Sequence, residues 1–598
     1  QNTTRASLVV FCASEKGDEK GVESVAGQVS EIASSHARRI NTGTVMVYPY
    51  AHLSSELSSP RVATKVLDKV YEILCKEKDL TVKRSPFGYY KAFNIKCKGH
   101  PLSELAQTIA PSKDKKPAAE TGREKDGETE ALKAESTLKS EWYIAEPGSP
   151  AELIPADKYN FKKRKALKKF YSYESAKVRT SEVPPPHIEL MRRLELVDYE
   201  PASDPGNFRW YPKGYLVKQL LEDFVSGMIV EYGGMQVETP IMYDYQHPKL
   251  SRYLQRFPAR QYVLLSDEKE YFLRFAACFG QYMIQHDMQL SYRHLPCRLY
   301  ELTHYSFRRE QTGELAGLKR LRTFTMPDMH VLTRDMDQAK QEFVRQIELC
   351  KRCMEGFELD YEVALRFVKD FREQNPGFAE QLVEACSQPQ LVELWNERFF
   401  YFVTKLEFNF VDALDKASCL STVQIDVENC ERFDITYIDE HGEKKHPLLM
   451  HTSISGSIDR VVYAILENQA MKMKKGTKAQ LPLWLSPTQV RLVPVSEHFN
   501  EYCESLSKEI GFRVDIDERD LTVGRKIRDA EREWIPFVAV IGEREKESGD
   551  LSVRTRDGKQ QAMKTAELAG VIREKTAGKP YKPLNVPCHL TARPVFVG

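Results

Sequence analysis

The chain has 598 residues, 41% of them hydrophobic, and a formal net charge of +1 at pH 7. This length predicts about four domains of ordinary size, and the balanced charge excludes a uniformly basic protein, so any nucleic-acid contact must come from local basic surface. No segment approaches about 18 consecutive apolar residues, which argues against a membrane span. Twelve scattered cysteines and a start without a signal peptide predict a reduced, cytoplasmic, multidomain protein.

Residues 1–110 have the pattern of a compact α/β domain, with strand-like runs (LVVF, VMVYPY) between segments of helical spacing. Residues 111–200 are expected to be a linker and connecting region. Its first part is mostly charged or small, which predicts a linker or an exposed charged helix. Its second part contains the basic stretch NFKKRKALKKF, which is either a solvated face or an RNA contact.

Residues 201–480 form the largest predicted domain. An amphipathic helix (GYLVKQLLEDFVSGMIVEY), a short strand (MQVETPI), a long helix (DQAKQEFVRQIELCKRCMEGF) and a closing helix (SGSIDRVVYAILEN) accompany the predicted strands KLEFNFVDAL, TVQIDVEN and FDITYIDE. Strands and helices in blocks predict an α+β fold with an antiparallel sheet flanked by helices. Residues 481–598 alternate strand and helix, which predicts a small α/β domain with a largely parallel sheet.

Two segments of the central domain read as the arms of one antiparallel hairpin, RLYELTHYSFRRE (residues 298–310) and KRLRTFTMPDMHVL (residues 319–332). Side chains alternate between the faces of a strand. Alternation places Arg308 and Glu310 on one face of the first arm. On the second arm it groups Arg320, Arg322, Phe324, Met326, Asp328 and His330. Guanidinium groups suit phosphates, although an ordinary solvated hairpin has the same pattern.

A metal site is a second possibility. Cys278, His330 and His451 would supply one sulfur and two nitrogens, with one position left open for a ligand, as in zinc sites that bind a substrate. The spacing gives no support, and His286 and His294 are equal contenders. The pair Cys350 and Cys353 has no second pair and reads better as buried helix cysteines. No phosphate-binding glycine loop is present, so a nucleotide site must use side chains.

Together these segments resemble the class II aminoacyl-tRNA synthetases. Pro240 resembles the motif 1 proline, FRRE (residues 307–310) the motif 2 sequence, and GSIDR (residues 456–460) the motif 3 glycine and arginine. The pattern RLRTFTMPDMH resembles the threonyl branch of the class. The chain as a whole resembles the archaeal type of this branch over nearly its full length. The resemblance implies a class II catalytic domain between an N-terminal editing domain and a C-terminal anticodon-binding domain.

The resemblance also implies roles in the catalytic domain. Arg308 and Arg460 would be catalytic and hold the α- and γ-phosphates of a bent ATP that binds with magnesium. The remaining ATP-site residues would be Glu310, Arg320, Phe324 stacked on adenine, and Gln424, with Asp426 on the same bordering strand. Asp328 would accept the threonine hydroxyl, while Met326 departs from the glutamine of the bacterial pattern.

Zinc bound by Cys278, His330 and His451, one ion per subunit, would select threonine. An apolar pocket separates threonine from valine by only roughly a hundredfold, whereas zinc can bind the amino and hydroxyl groups together. Serine lacks only a methyl group, so a second, hydrolytic site for seryl-tRNA is expected. The resemblance places it in the N-terminal domain, which begins here after the family's first strand, around His52, Tyr90, Lys91 and Glu104.

The C-terminal domain would read the anticodon through Glu547 and Arg556, since arginine can bond a base edge with two donors. The implied partners are ATP, L-threonine and tRNA(Thr), with a homodimer through the motif 1 region and no membrane. A rival interpretation is a synthetase-derived RNA-binding regulator without catalysis. Such a protein would be expected to lack a motif arginine or a metal ligand, and this sequence has all of them.

Overall fold

The computed structural model describes residues 7–40, 42–54, 56–89, 109, 140–176, 184–254, 261–310, 314–398 and 400–596. It forms two compact units, Gln1–Lys125 and Asp126–Gly598. Within the described ranges, no helix combines the length and the apolar character needed to cross a membrane.

The first unit is a parallel sheet with two helices packed against each other. Its strands are β1 (Leu8–Cys12), β2 (Thr44–Pro49) and β3 (Thr81–Arg84), in the order β1-β2-β3. Its helices are α1 (Val22–Arg39) and α2 (Pro60–Leu74). Alternate residues of β2, Val45 and Val47, are fully buried against Val66, Leu67 and Val70 of α2. The apolar runs therefore form the strands that the sequence predicts. A further predicted strand, FGYYKAFNIKCKG, lies from residue 90 onward outside the described residues.

A ten-stranded sheet dominates the second unit, in the order β5-β4-β16-β15-β17-β18-β21-β14-β13-β8. Its strands are β4 (Ser140–Glu146), β5 (Ser149–Pro155), β8 (Met235–Gln236), β13 (Cys297–Phe307), β14 (Thr323–Thr333), β15 (Glu362–Val368), β16 (Gln390–Trp395), β17 (Phe402–Val411), β18 (Ala417–Asp426) and β21 (Leu448–Ser453). Only β15–β16 and β13–β8 pair in parallel. The predicted antiparallel sheet is confirmed.

The smaller sheets of this unit flank the large one. Their strands are β6 (Val197–Tyr199), β7 (Phe208–Trp210), β9 (Met242–Asp244), β10 (Val263–Ser266), β11 (Lys269–Leu273), β12 (Leu290–Ser291), β19 (Tyr437–Ile438) and β20 (Lys444–Lys445). The strand predicted over FDITYIDE is thus reduced to β19, because its first residue ends a short helix.

Two parts of the large sheet differ from the sequence-based expectation. Residues 140–155, assigned above to a connecting region, form β4 and β5, and β4 pairs with β16, so that Ile144 lies opposite Leu391. The predicted hairpin is present as β13 and β14, with a register irregularity between Thr303 and Ser306. Both arms are shorter than predicted, and the second begins only at Thr323.

Helices cover both faces of the sheet. They are α3 (Lys165–Ala176), α4 (Pro186–Arg193), α5 (Pro212–Glu231), α6 (Pro248–Leu254), α7 (Cys278–Asp287), α8 (Met336–Phe357), α9 (Lys369–Gln374), α10 (Pro376–Cys386), α11 (Asn429–Phe433) and α12 (Ile458–Lys474). The back face, with Val331, Val423 and Met450, packs on the main hydrophobic core. The opposite face, which carries His330 and His451, is called the front face below.

The C-terminal part has a five-stranded sheet in the order β23-β22-β24-β25-β26, parallel across its first three strands. Its elements are β22 (Val490–Pro494), β23 (Val514–Ile516), β24 (Phe537–Ile541), β25 (Asp550–Thr555), β26 (Gln560–Lys564), α13 (Asn500–Ile510), α14 (Val523–Arg532), α15 (Glu543–Ser548) and α16 (Thr565–Lys575). The predicted alternation of strand and helix is confirmed.

Candidate active site and metal centre

A row of polar side chains crosses the front face of the sheet. His330 of β14 lies opposite His451 of β21, which lies opposite Gln424 of β18. Directly opposed residues of neighbouring strands have their side chains on the same face. The row continues with Lys405 of β17 and Arg366 of β15. Strand pairing thus brings together residues that are far apart along the chain.

The proposed metal ligands meet at one end of this row. The ligand atoms of Cys278, the first residue of α7, and of His330 and His451 all lie within 4.8 Å of one another. The two imidazole centroids are 4.9 Å apart. His286 and His294 are not members of this set; His286 Nδ1 instead lies 2.8 Å from the carbonyl oxygen of Asp434.

The chemistry of the three side chains fits a metal ion. His330 is 1% exposed, and neither of its ring nitrogens has a hydrogen-bond partner. Burial keeps its pKa well below the ordinary value, which leaves a neutral imidazole with a lone pair to donate. Burial also raises the pKa of the Cys278 thiol, so a thiolate there requires a nearby cation. Sulfur and two nitrogens with an open position suit zinc.

A carboxylate and a phenol surround the ligands. Oδ2 of Asp426, which is 1% exposed, lies 2.7 Å from Nε2 of His451, and such a carboxylate fixes the orientation of a metal-bound histidine. The hydroxyl of Tyr282 lies 3.3 Å from the same nitrogen. The sequence-based prediction places Asp426 only at the border of the ATP site and does not include Tyr282. The four-residue spacing from Cys278 along a helix could have indicated that tyrosine.

Asp328 lies on the same strand and face as His330. It is 9% exposed, and its Oδ2 accepts a weak hydrogen bond of 3.4 Å from the backbone N–H of Ala277. Burial is the main cause that raises its pKa to about 6. It faces Glu301 across the hairpin, whose own carboxylate is paired with Arg274 at 2.6 Å. Asp328 is therefore the carboxylate available beside the histidine pair.

Two partly buried arginines, Arg308 and Arg460, lie further along the front face. The guanidinium carbon of Arg308 is 5.1 Å from the ring centroid of Phe324. Burial and the neighbouring charge of Arg460 lower the pKa of Arg308. Among the described residues, neither arginine has a carboxylate within 4.0 Å; Arg460 donates instead to the carbonyls of Lys319 and Cys419, at 3.2 and 2.9 Å. Two close cations without counterions favour a polyanionic ligand.

The other two predicted arginines are already paired. Arg320 bonds Glu310 at 2.9 Å and Glu314 at 3.1 Å, and Arg322 bonds Asp204 at 2.7 Å. Both precede the first residue of β14, so strand alternation does not extend to them. Arg322 also donates to the carbonyl of Glu310, at 2.6 Å.

The segment between the arms is held from behind by a buried histidine. Nδ1 of His187 lies 2.8 Å from Oε1 of Glu467, and its Nε2 accepts a hydrogen bond of 3.2 Å from the N–H of Leu318. His187 and Glu467 are both fully buried. Gly317 has a φ of 54°, and a Cβ there would lie 2.3 Å from the imidazole. Only glycine allows this approach, and no pattern in the sequence predicts the contact.

The remaining predicted residues lie elsewhere. The short turn Ala51–Leu53 contains His52, whose side chain, like Tyr90, Lys91 and Glu104, lies outside the described residues. Glu547 is exposed in α15. Arg556 is half-buried and donates through Nε to the carbonyl of Ala479, at 2.7 Å. Cys350 and Cys353 are fully buried in α8, as expected.

The chain is similar to known protein families along most of its length. Three family profiles match: the archaea-specific editing domain of threonyl-tRNA synthetase (residues 1–109), the class II tRNA synthetase core domain for G, H, P, S and T (residues 262–469), and the anticodon-binding domain (residues 489–575). Two neighbouring arginines at an antiparallel sheet, together with the match to the core profile, define a class II aminoacyl-tRNA synthetase.

Similar proteins identify the family within this class. The threonine–tRNA ligase of Pyrococcus horikoshii is 54% identical over 599 residues, which cover 99% of this chain and 94% of that protein. The threonine–tRNA ligase of Methanosarcina mazei is 50% identical over 603 residues, with the same coverage. The chain belongs to the threonyl-tRNA synthetase family, in the branch with the archaeal editing domain.

Solved structures show the same fold. The RNA binding domain of threonyl-tRNA synthetase from Cryptosporidium parvum has a TM-score of 0.58 at 24% identity, covering 67% of this chain and 99% of that one. The prolyl-tRNA synthetase of Giardia lamblia has a TM-score of 0.53 at 18% identity, covering 65% and 77%.

Proposed function

We propose that the chain activates L-threonine with ATP and magnesium, transfers it to the 3′ end of tRNA(Thr), and hydrolyses mischarged seryl-tRNA(Thr) in its N-terminal domain. The observation that carries the proposal is the arrangement on one face of the sheet. A partly buried pair of arginines without carboxylate partners lies beside a cysteine, two histidines and a buried aspartate. The first group suits a triphosphate and the second suits a small amino acid.

The arginines would act on the phosphates. In activation, a carboxylate oxygen of threonine attacks the α-phosphorus of ATP, and pyrophosphate leaves. Charge grows on the phosphate oxygens during this step, and fixed cations stabilise it. Arg308 would contact the α-phosphate and Arg460 the γ-phosphate, with Phe324 against adenine and Gln424, Glu310 and Arg320 at the borders of the nucleotide site. A terminal ribose hydroxyl of the tRNA then attacks the carbonyl carbon, and AMP leaves.

The amino-acid site would distinguish threonine from its analogues. Cys278, His330 and His451 would hold one zinc ion per subunit, and bound zinc supplies a Lewis acid for the amino and hydroxyl groups of threonine. Asp328 would accept the hydroxyl proton in a hydrogen bond. Valine leaves the hydroxyl contacts unmade, and unpaired buried polar groups reject an analogue far better than a missing methyl group does.

The two outer domains would handle tRNA. His52, Tyr90, Lys91 and Glu104 would surround the 3′ end in the editing site, with Lys91 positioning the attacking water. Glu547 and Arg556 would read anticodon bases. Equal rates of seryl-tRNA hydrolysis by the wild type and by Lys91→Ala would remove Lys91 from the mechanism.

We also propose a homodimer in the cytoplasm. Several exposed apolar side chains lie near the motif 1 proline, either close to it in the sequence or on strands of the small sheet that follows it. They are Met235, Ile241, Met242, Val263 and Leu265. A patch of this kind favours a protein interface. We expect Met242→Glu to shift the sedimentation mass toward the monomer, and Leu521→Glu, at a similarly exposed position (42% against 45%), to leave it unchanged.

The central experiment is threonine-dependent exchange of pyrophosphate into ATP by zinc-loaded protein, because exchange requires no tRNA. We expect exchange with threonine, weaker exchange with serine and almost none with valine. No exchange with threonine would overturn the proposed activity.

A further inference from the structure

A basic surface that plays no part in the proposed chemistry lies on α3 and the turn before it. Its members, all exposed, are Lys162, Lys163, Arg164, Lys165, Lys168 and Lys169. The inward side of the same segment is apolar, and Leu167 and Phe170 are fully buried. The helix is therefore fixed to the sheet, and its cations are held on one outer side. This surface is called the α3 basic face below.

Most of these charges lack local counterions. Lys169 pairs with Asp415 at 2.6 Å. In the part of the chain that the structure describes, Lys162, Lys163, Lys165 and Lys168 have no carboxylate within 4.0 Å. An ordinary solvated helix face usually mixes both signs. Because the whole chain has a net charge of only +1, this cluster of positive charges is a local feature of the surface. A local positive patch of this kind can attract a polyanion.

The α3 basic face belongs to the same side of the sheet as the candidate active site. Glu174 of α3 pairs with Arg366 at 2.7 Å, and Arg366 stands in the front-face row with His451. The opposite side is covered by α8, where Thr452, the neighbour of His451, donates to Gln346. The sheet thus separates α3 from α8.

The helix also reaches the segment between the hairpin arms. The ring centroid of Tyr173 in α3 is 5.9 Å from the ammonium of Lys319. The carbonyl of Lys319 accepts a hydrogen bond from Arg460. The helix that carries the α3 basic face therefore contacts Lys319, and Lys319 in turn contacts Arg460, one of the arginines that would hold the triphosphate.

We propose that the α3 basic face binds the sugar-phosphate backbone of the tRNA. This rests on the proposed function, because an acceptor end that enters the front face brings the RNA preceding it over the same side of the protein. Lysines are point charges that contact phosphates without reading bases. Each phosphate contact releases counterions, so binding must weaken with salt in proportion to the number of contacts.

The test compares two charge-matched variants in full-length, zinc-loaded protein. The first combines Lys163→Gln, Lys165→Gln and Lys168→Gln. The control combines Arg345→Gln, Lys351→Gln and Arg352→Gln on α8, which removes the same charge from the back side of the sheet. The readouts are the KM for a tRNA(Thr) transcript, its Kd by filter binding from 50 to 200 mM salt, and threonine-dependent pyrophosphate exchange.

We expect the first variant to raise both constants on the order of tenfold and to lower the slope of log Kd against log salt by about 3, close to one for each lost contact. Its exchange rate should stay within about twofold of the wild type, and the control should match the wild type. An unchanged slope, or an equal change in the control, would overturn the proposal. Absence of exchange in the wild type would instead refute the proposed function. Filter binding would still show whether the α3 basic face binds tRNA.

Discussion

The buried imidazole of His187 offers a sharp test of how the triphosphate end of the site is positioned. It connects Glu467 of α12 to the N–H of Leu318, and the next residue, Lys319, accepts a hydrogen bond from Arg460. Replacing His187 with alanine removes a hydrogen bond to a charged group, worth about 1.5–3 kcal/mol, and leaves a buried N–H unpaired at a cost of about 1–3 kcal/mol. We therefore expect a loss of roughly 3–5 kcal/mol in stability.

Part of this loss should appear as weaker ATP binding. If Arg460 loses the equivalent of one net hydrogen bond, about 1.4 kcal/mol, the KM for ATP in pyrophosphate exchange should rise about tenfold. His187→Asn should retain the donor to Glu467 and lose only the acceptor for Leu318. It should therefore raise the KM for ATP with a smaller decrease in Tm than His187→Ala causes.

The control is Leu190→Ala, a core truncation on the same helix at a position 5% exposed, which should cost about 2–5 kcal/mol through its cavity. It removes no contact to Leu318. If Leu190→Ala raises the KM for ATP as much as His187→Ala does, the effect is general loosening, and the positioning argument fails.

Three further predictions concern the metal centre and one partly buried carboxyl. Asp426→Asn should weaken zinc binding by about 10–100-fold in competition with a chelator, because the carboxylate orients His451; equal affinity would contradict this. Zinc at about 1,000 times its Kd should stabilise the wild type by about 4 kcal/mol, seen as a rise in Tm that Cys278→Ser lacks. Burial raises the pKa of Glu362 from 4.5 to about 7, so the folded state keeps a proton that the unfolded state has lost, and stability falls as pH rises between these values. Glu362→Gln should therefore exceed the wild type by up to about 3 kcal/mol at pH 8 and match it near pH 4.5; a difference independent of pH would refute the assignment.

Local patterns in the sequence predicted the elements of the front face well. Period-two alternation placed Phe324, Met326, Asp328 and His330 on one side of a strand, and β14 has that geometry. The same rule failed for Arg320 and Arg322, because the strand begins after them. Periodicity alone gives no information about the residue at which a strand begins to form its hydrogen bonds.

Contacts between distant segments were the other limit. The meeting of Cys278, His330 and His451 depends on strand pairing across more than a hundred residues, and only the family resemblance pointed to it. The bond between Asp426 and His451, and the contact between His187 and Leu318, had no local signature. The strand Ser140–Glu146 was missed for the same reason, since its partner lies about 250 residues later.

That strand has a practical consequence for dissecting the molecule. β4 pairs with β5 on one side and with β16 on the other. A fragment that begins at residue 201, the predicted domain boundary, would therefore lack two strands of its own sheet. Cutting there would strip β16 of a neighbour and leave the backbone of Gln390–Trp395 unprotected, an invitation to intermolecular strand pairing. An autonomous aminoacylating fragment should start upstream of Ser140.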